Sequence, residues 1–547
     1  MFAPRVRSYD PAVPAVSPVN RFRRRLLTGL GAAAIAAGGG WAFWRHLPGS
    51  ADEPHVVLRL PPDPLFPNAL RLPGEEGLFG LLDVERSFTI VSTRVQQEIV
   101  RGKPASMLAY AVEQGGGRTL LNPVLRVEAG TTVRVRYWNA LDETSIVHWH
   151  GLAVDTNNDG HPHYAVGSGE TYDYQFKVSN RAGTYWYHPH PHHLAGKQMY
   201  LGLAGLLLVE DREEIALQRA LALDLGDADV PLLLQDKNLS DDGSFRYELG
   251  AQDRFVGYCG DRVLVNLTPS PCLDCATRLY RFRLVNGSSA RIYRLAFMHG
   301  EEALEFHVIG ADGGLLARPV PARELFLSPS ERADVLLDLS AAAPGDRIML
   351  ASLPFDAMHF TGSAHASEGN GAINGAPLDL MLMRITRNIR YEARVPDVLS
   401  VVEPADGQSA QRRRFAFDHV KGLWRINGQS YRMTDTAFSV KRGAREIWEF
   451  RNDPPAMPHP IHIHGIQYRV LDRKNSPAQT RHLALDERGL PATELAWKDT
   501  VLLWPGETVR LLVDFSHPFP GDQIYMLQCH NLEHETHGMM VNFRIEA

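Results

Sequence analysis

The stretch Met526-Leu527-Gln528-Cys529-His530-Asn531-Leu532-Glu533-His534-Glu535-Thr536-His537-Gly538-Met539-Met540 decides how the rest of the chain is read. It offers a thiolate at Cys529, an imidazole at His534 and a thioether at Met539. Two imidazoles and a thiolate in a plane with a weak axial thioether are the donor set of a blue-copper electron-transfer site. The second planar imidazole has to come from elsewhere. His459, three residues before His462, is the natural candidate.

Outward from this stretch the chain repeats itself. A turn, an alternating strand, a glycine turn and an aromatic or aliphatic strand recur at 169–176 and 182–188, at 329–339 and 344–350, and at 505–515 and 520–527. Period-two alternation bounded by Gly and Pro predicts antiparallel sandwich strands, and a repeat of this size predicts fused domains of one design. With 547 residues, 36 prolines and 46 glycines, the chain is long enough for about three such domains. Boundaries are expected at 75–212, 213–392 and 393–547. A Gly-, Ala- and Ser-rich surface loop is expected over 353–376.

The copies differ in cargo. The first carries His148-Trp149-His150 and His188-Pro189-His190; the third carries His462-Ile463-His464 and the Cys529 stretch. The middle copy carries no such pair and reads as a spacer. On a strand, residues i and i+2 share a face. Each pair therefore aims two imidazoles the same way, and six imidazoles suit a cluster of ions better than a single one. By the same alternation Cys529 faces one metal, while Gln528 and His530 face the cluster.

These four segments resemble the four copper signatures of the three-domain multicopper oxidases, a family that includes laccases, bilirubin oxidase and bacterial cuprous oxidases. The resemblance spans the body of the chain from about residue 75 onward. It implies an all-β chain of three cupredoxin-like Greek-key β-sandwich domains holding about four copper ions. It implies a type 1 copper on His459, Cys529, His534 and Met539, and a type 2 copper on His148 and His462. The type 3 pair would lie on His150, His188, His190, His464 and His530. The implied reaction takes single electrons from a small reducing substrate or metal ion at the type 1 copper and reduces dioxygen to water at the three-copper cluster. Asp159 and Glu535 stand where similar oxidases have proton-relay carboxylates. Their plainer readings are a turn residue for Asp159, followed by Gly160, and a solvated charge for Glu535.

One residue departs from the family. Its last motif usually reads His-Cys-His, and here position 528 is glutamine. An amide oxygen is a weaker, harder ligand than imidazole. The alternative function is therefore an exported copper-binding or scaffold protein of the same fold with impaired oxygen reduction. His161, His163, His192, His193 and His537 lie close enough in sequence to be considered as substitute ligands. An axial methionine suits easily oxidised donors such as phenols, aromatic amines or low-valent metal ions. The stretch from His464 to Trp497 contains no methionine, so the Met-rich cover of cuprous oxidases is missing there.

The N-terminus has a different character. Residues 1–47 hold seven arginines against one aspartate, so the body carries all of the net −6 charge and more. An acidic body excludes nucleic acid as a partner and favours cations. Arg23-Arg24-Arg25 before an apolar run resembles a Tat export signal, with a membrane anchor as the alternative, over residues 1–50. Either places the body in the periplasm or otherwise outside the cytoplasm. In an oxidising compartment Cys259, Cys272 and Cys275 permit one disulfide.

Overall fold

The computed structural model describes residues 58, 60–358, 373–405, 410–454 and 457–547; the arginine-rich segment and most of the loop expected over 353–376 lie outside them. Strands hold 49 % of the chain and helices 8 %, as an all-β chain requires. All six strands of the recurring phrase form: Thr171–Lys177 and Gly183–Pro189, Arg332–Asp338 and Arg347–Ser352, Thr508–Asp514 and Gln523–Cys529. Their β-branched and aromatic side chains pack well on a pleated surface, and Gly or Pro ends each run.

Among the described residues the strands make six sheets, paired as three sandwiches. The first core joins Ile90, Leu108 and Val133 of one sheet to Val147, Tyr185 and Leu207 of the other. The middle core is built around Val230, Phe282, Leu295 and Met381, and the last around Phe415, Trp448, Ile461 and Leu527. The sheets are mixed where alternation alone suggests antiparallel pairing. Ser87–Val100 runs parallel to Thr132–Asn139, and Gln411–Val420 parallel to Arg445–Arg451. Greek-key chains produce such neighbours when a strand returns by crossing to the other sheet.

One detail adds to the sequence reading and one corrects it. Asn68–Ala69, ahead of the first sandwich, pairs in parallel with Pro271–Ala276 of the middle one. The expected disulfide does not form, since all four cysteines are free. Cys272 and Cys275 lie three apart on one strand and so point to opposite faces, Cys272 toward Phe66 and Cys275 into the middle core.

Buried charges tie the strands together. Glu214, just past the expected boundary at 212, is fully buried on the helix Arg212–Ala220 and bridges Arg281 and Arg283. Burial opposes its ionisation, but the two guanidiniums hold its carboxyl at about 2. Arg332 of the middle sandwich grips Asp499 of the last through two contacts of 2.6 and 2.7 Å. That grip matters for the site.

Candidate metal centre

The Val147–His150 and Gly183–Pro189 strands are antiparallel neighbours with His148 opposite His188. In the last sandwich His459–Ile463 pairs with Gln523–Cys529, placing His462 opposite Gln528 and Ile461 opposite Cys529. Alternation therefore puts His462 and Gln528 on one face and Cys529 on the other. Trp149 and Ile463 turn away into their cores.

On the sulfur side, Cys529 Sγ lies 3.6 Å from His459 Nδ1 and 3.6 Å from His534 Nδ1. The strand ends there, and Asn531 caps the short helix Leu532–Thr536 by accepting the Glu533 and His534 N–H groups. That turn brings His534 back over the sulfur. His534 Nε2 donates to the Phe255 carbonyl at 2.8 Å, which leaves Nδ1 unprotonated toward the sulfur. Met539 is fully buried in the same core, and its carbonyl accepts the Cys529 N–H at 3.0 Å. Burial pushes the Cys529 thiol up and His459 down to about 3, so a cation is needed to make this pair a thiolate with neutral imidazoles.

On the other side the histidines of the first and last sandwiches meet face to face. His148 stacks on His464 at 3.9 Å and His150 on His462 at 3.8 Å between ring centroids. Each ring is held by its far nitrogen. His148 Nδ1 donates to the Asp159 carbonyl (2.6 Å), His462 Nδ1 to the Asp499 carbonyl (2.8 Å) and His464 Nδ1 to Asp159 Oδ2 (2.8 Å). Metal-binding histidines are oriented by such outer partners. The Nε2 atoms of His148, His462 and His464 are buried and have no hydrogen-bond partner.

His150, His188 and His530 make a second convergence. His188 Nε2 lies 3.3 Å from His150 Nδ1 and 3.4 Å from His530 Nε2. His150 spends its proton on Asp499 at 3.1 Å and His188 on the Pro189 carbonyl at 3.1 Å. Their facing nitrogens are lone pairs with no proton between them. Burial first, and neighbouring imidazoles next, hold the His150 and His188 pKa values well below the usual 6.5, and burial takes His530 down to about 3. A cation satisfies this arrangement of converging lone pairs. The donor chemistry fits copper: neutral imidazoles on one side, a thiol with imidazoles and a thioether on the other.

Both carboxylates singled out from the sequence are buried. Asp159 is in a turn and also against the histidines, and burial raises its pKa to about 6. Its place depends on Gly160, whose φ is +79° and where a Cβ would fall 2.1 Å from the Val147 carbonyl oxygen. Glu535 is not a solvated charge. Burial, then the Glu533 charge, raises its pKa to about 8, and its Oε1 lies 3.7 Å from His190 Nε2. Gln528 Oε1 is 3.1 Å from the same atom. None of the spare histidines joins the cluster. His161 pairs with Asn542, His193 and His537 with the Thr536 and Glu533 carbonyls, and His192 stacks on His193, while His163 is exposed.

Asp499 is the residue that sequence reasoning missed. It reaches His150 through its side chain and His462 through its backbone, while Arg332 grips its carboxylate. The available signal was Lys498-Asp499 at the head of the apolar run Val501-Leu502-Leu503-Trp504, where a charge needs a buried partner.

Two family models, both described as multicopper oxidase, match the chain over residues 112–214 and 396–547. Bilirubin oxidase of Albifimbria verrucaria is 30 % identical over 436 residues, covering 77 % of this chain and 70 % of the relative. Multicopper oxidase mco of Staphylococcus epidermidis is 29 % identical over 463 residues, covering 84 % and 88 %. The crystal structure of McoA multicopper oxidase from Aquifex aeolicus superposes with a TM-score of 0.78 at 38 % identity, covering 88 % of this chain and 99 % of that one. The chain belongs to the multicopper oxidase family. It is a laccase-like oxidoreductase whose cofactor is about four copper ions.

Proposed function

We propose that the chain withdraws electrons one at a time from a small donor at the Cys529 side and delivers them to dioxygen at the histidine cluster. His459, Cys529, His534 and Met539 would hold the type 1 copper, His148 and His462 the type 2 copper, and His150, His188, His190, His464 and His530 the type 3 pair. Copper supplies the one-electron acceptor at the first site and the oxygen-reducing centre at the second. The Cys529–His530 peptide is the covalent route between them. Reduction of dioxygen to water consumes one proton per electron, and Asp159 and Glu535 are the buried carboxylates placed to hold those protons. Asp159 also orients His464, and Asp499 orients His150.

The supporting observation is the divergence of adjacent side chains. Cys529 Sγ faces His459 and His534 at 3.6 Å, while His530 Nε2 faces His188 at 3.4 Å. On this reading residues 75–212, 213–392 and 393–547 are the three domains, the middle one fixing the outer two in register through Arg332. The arginine-rich start exports or anchors the body outside the cytoplasm. Phenols, aromatic amines and low-valent metal ions are the donor classes that a methionine-ligated site serves.

The test is copper stoichiometry together with oxygen uptake by the purified protein. About four coppers per chain and oxygen consumption with a phenol, Cu(I), Fe(II) or Mn(II) are expected. One copper or none, or no uptake with any of these donors, would return the protein to the copper-binding alternative.

A further inference from the structure

The electron-accepting side shows no ligand at the surface. Cys529, His459, His534 and Met539 are each at most 1 % exposed. His534 Nε2, the nitrogen turned away from the sulfur, is closed off by the Phe255 carbonyl at 2.8 Å. That carbonyl belongs to the end of a short helix, Ala251–Val256. The last carbonyls of a helix have no partner within it and take donors from outside. Here the Arg254, Phe255 and Val256 carbonyls accept from Trp424 Nε1 (3.3 Å), His534 Nε2 (2.8 Å) and Asn531 Nδ2 (3.4 Å). A reducing molecule therefore has to work through a neighbouring side chain.

Trp424 is that neighbour. Its ring lies 4.1 Å from His534 and 5.3 Å from His459 between centroids, and it is itself 3 % exposed. Two further rings cover it from outside. Phe255 stacks on it at 5.4 Å with the planes 19° apart, and His419 lies 4.7 Å away. Phe255 is half-buried, His419 is exposed, and the two meet edge to face at 5.0 Å. His419 stands directly opposite Trp424 in the hairpin that joins Gln411–Val420 to Leu423–Ile426, so both rings share one face. Lys421 and Gly422 both have positive φ, 53° and 80°, which makes the tight two-residue turn that fixes this pairing.

The chemistry of this face is aromatic. Among the described residues no three imidazole, thiol or carboxylate donors converge there, as they do at the cluster. The carboxylates next in sequence are committed, Asp418 to Arg425 at 2.6 Å and Asp253 to the Gly250 N–H at 2.8 Å. Arg254 and Lys421 are exposed and make no ion pair among the described residues. Stacked rings with positive neighbours suit a planar aromatic molecule, which gains from ring contact, over a metal ion, which needs donor atoms.

We propose that a planar aromatic donor, a phenol or an aromatic amine, docks on the Phe255–His419 face and that its electron reaches the sulfur side through the Trp424 ring. This deepens the reading of the donor side above and rests on it. In each event the donor is oxidised by one electron and releases its phenolic or amine proton to the water at this face. The copper held by Cys529 is reduced by that electron. Trp424 bridges the gap by ring contact and ends unchanged, while the Phe255 carbonyl keeps donors off the His534 edge.

The test uses the copper-loaded full chain and two readouts. One is binding of para-nitrophenol, a phenol hard to oxidise, by calorimetry. The other is bleaching of the blue absorption by hydroquinone in the absence of oxygen. Phe255→Ala should weaken para-nitrophenol binding about 2- to 10-fold, the worth of one aromatic contact, and raise the half-saturating hydroquinone concentration by the same factor. Trp424→Leu should keep that binding and the blue band but lose most of the bleaching rate at saturation, and Trp424→Phe should recover much of it. Fe(II), with no ring to stack, should bleach without saturating and be indifferent to Phe255→Ala. Unchanged para-nitrophenol binding in Phe255→Ala, or a full bleaching rate in Trp424→Leu, overturns this inference and leaves the copper reading standing. Equal sensitivity of Fe(II) and hydroquinone to Phe255→Ala overturns the choice of an aromatic donor. Absence of blue absorption in the unaltered protein would overturn the copper reading itself, and this inference with it.

Discussion

The Cys529 side and the histidine cluster solve the same problem with different materials. Three of the four donors on the sulfur side come from an eleven-residue stretch, and the fourth, His459, comes from a neighbouring strand of the same sheet. The cluster divides its donors between the first and last sandwiches, and it needs an arginine from the middle one to fix Asp499 beside His150. A locally built site survives small shifts between sandwiches, whereas one built across an interface does not. The sulfur side should therefore fail only through its own ligands, and the cluster also through residues that never touch a metal.

The largest effect belongs to Cys529→Ser. It should abolish blue absorption and reduce donor oxidation to background while the cluster keeps its copper, as absorption and elemental analysis would show. Arg332→Met comes next, because it leaves the buried Asp499 carboxylate without its countercharge. A loss of about 3–5 kcal/mol is expected in denaturant unfolding. The blue site should still form in whatever fraction stays folded. If the blue absorption vanishes while the fold holds, the independence of the two sides is wrong. Asp499→Asn weakens the partner of His150 and should lower cluster copper affinity about 10–100-fold in chelator competition, without shifting the blue band. The smallest effect is Asn531→Ala, which removes the cap of the helix carrying His534. It should cost about 1 kcal/mol in thermal unfolding and perturb the blue site more than the cluster.

The contrast between the two sides also explains what could be seen in the chain beforehand. Strand alternation around His148, His462 and Cys529 is a local property, so the directions of those side chains follow from spacing alone. His459 could be found the same way. Asp499 and Arg332 could not, because their meaning arises only where the middle and last sandwiches touch. Glu535 is singled out by resemblance as a relay carboxylate, but its burial against His190 depends on the Asn531-capped turn that carries it inward. The cysteines mislead for the opposite reason. Closeness in sequence suggests a bridge, but an odd separation on a strand sends Cys272 and Cys275 to opposite faces. The parallel pairings were likewise hidden, since crossover between sheets leaves no mark on a single strand.

The most direct test of the link between the two sides is the fate of the blue band. A reducing donor should bleach it in the absence of oxygen, and admitting oxygen should bring it back with no other oxidant present. A band that bleaches and stays bleached under oxygen would mean that electrons taken at Cys529 do not reach the histidine cluster, and the coupling of the two sides would be refuted.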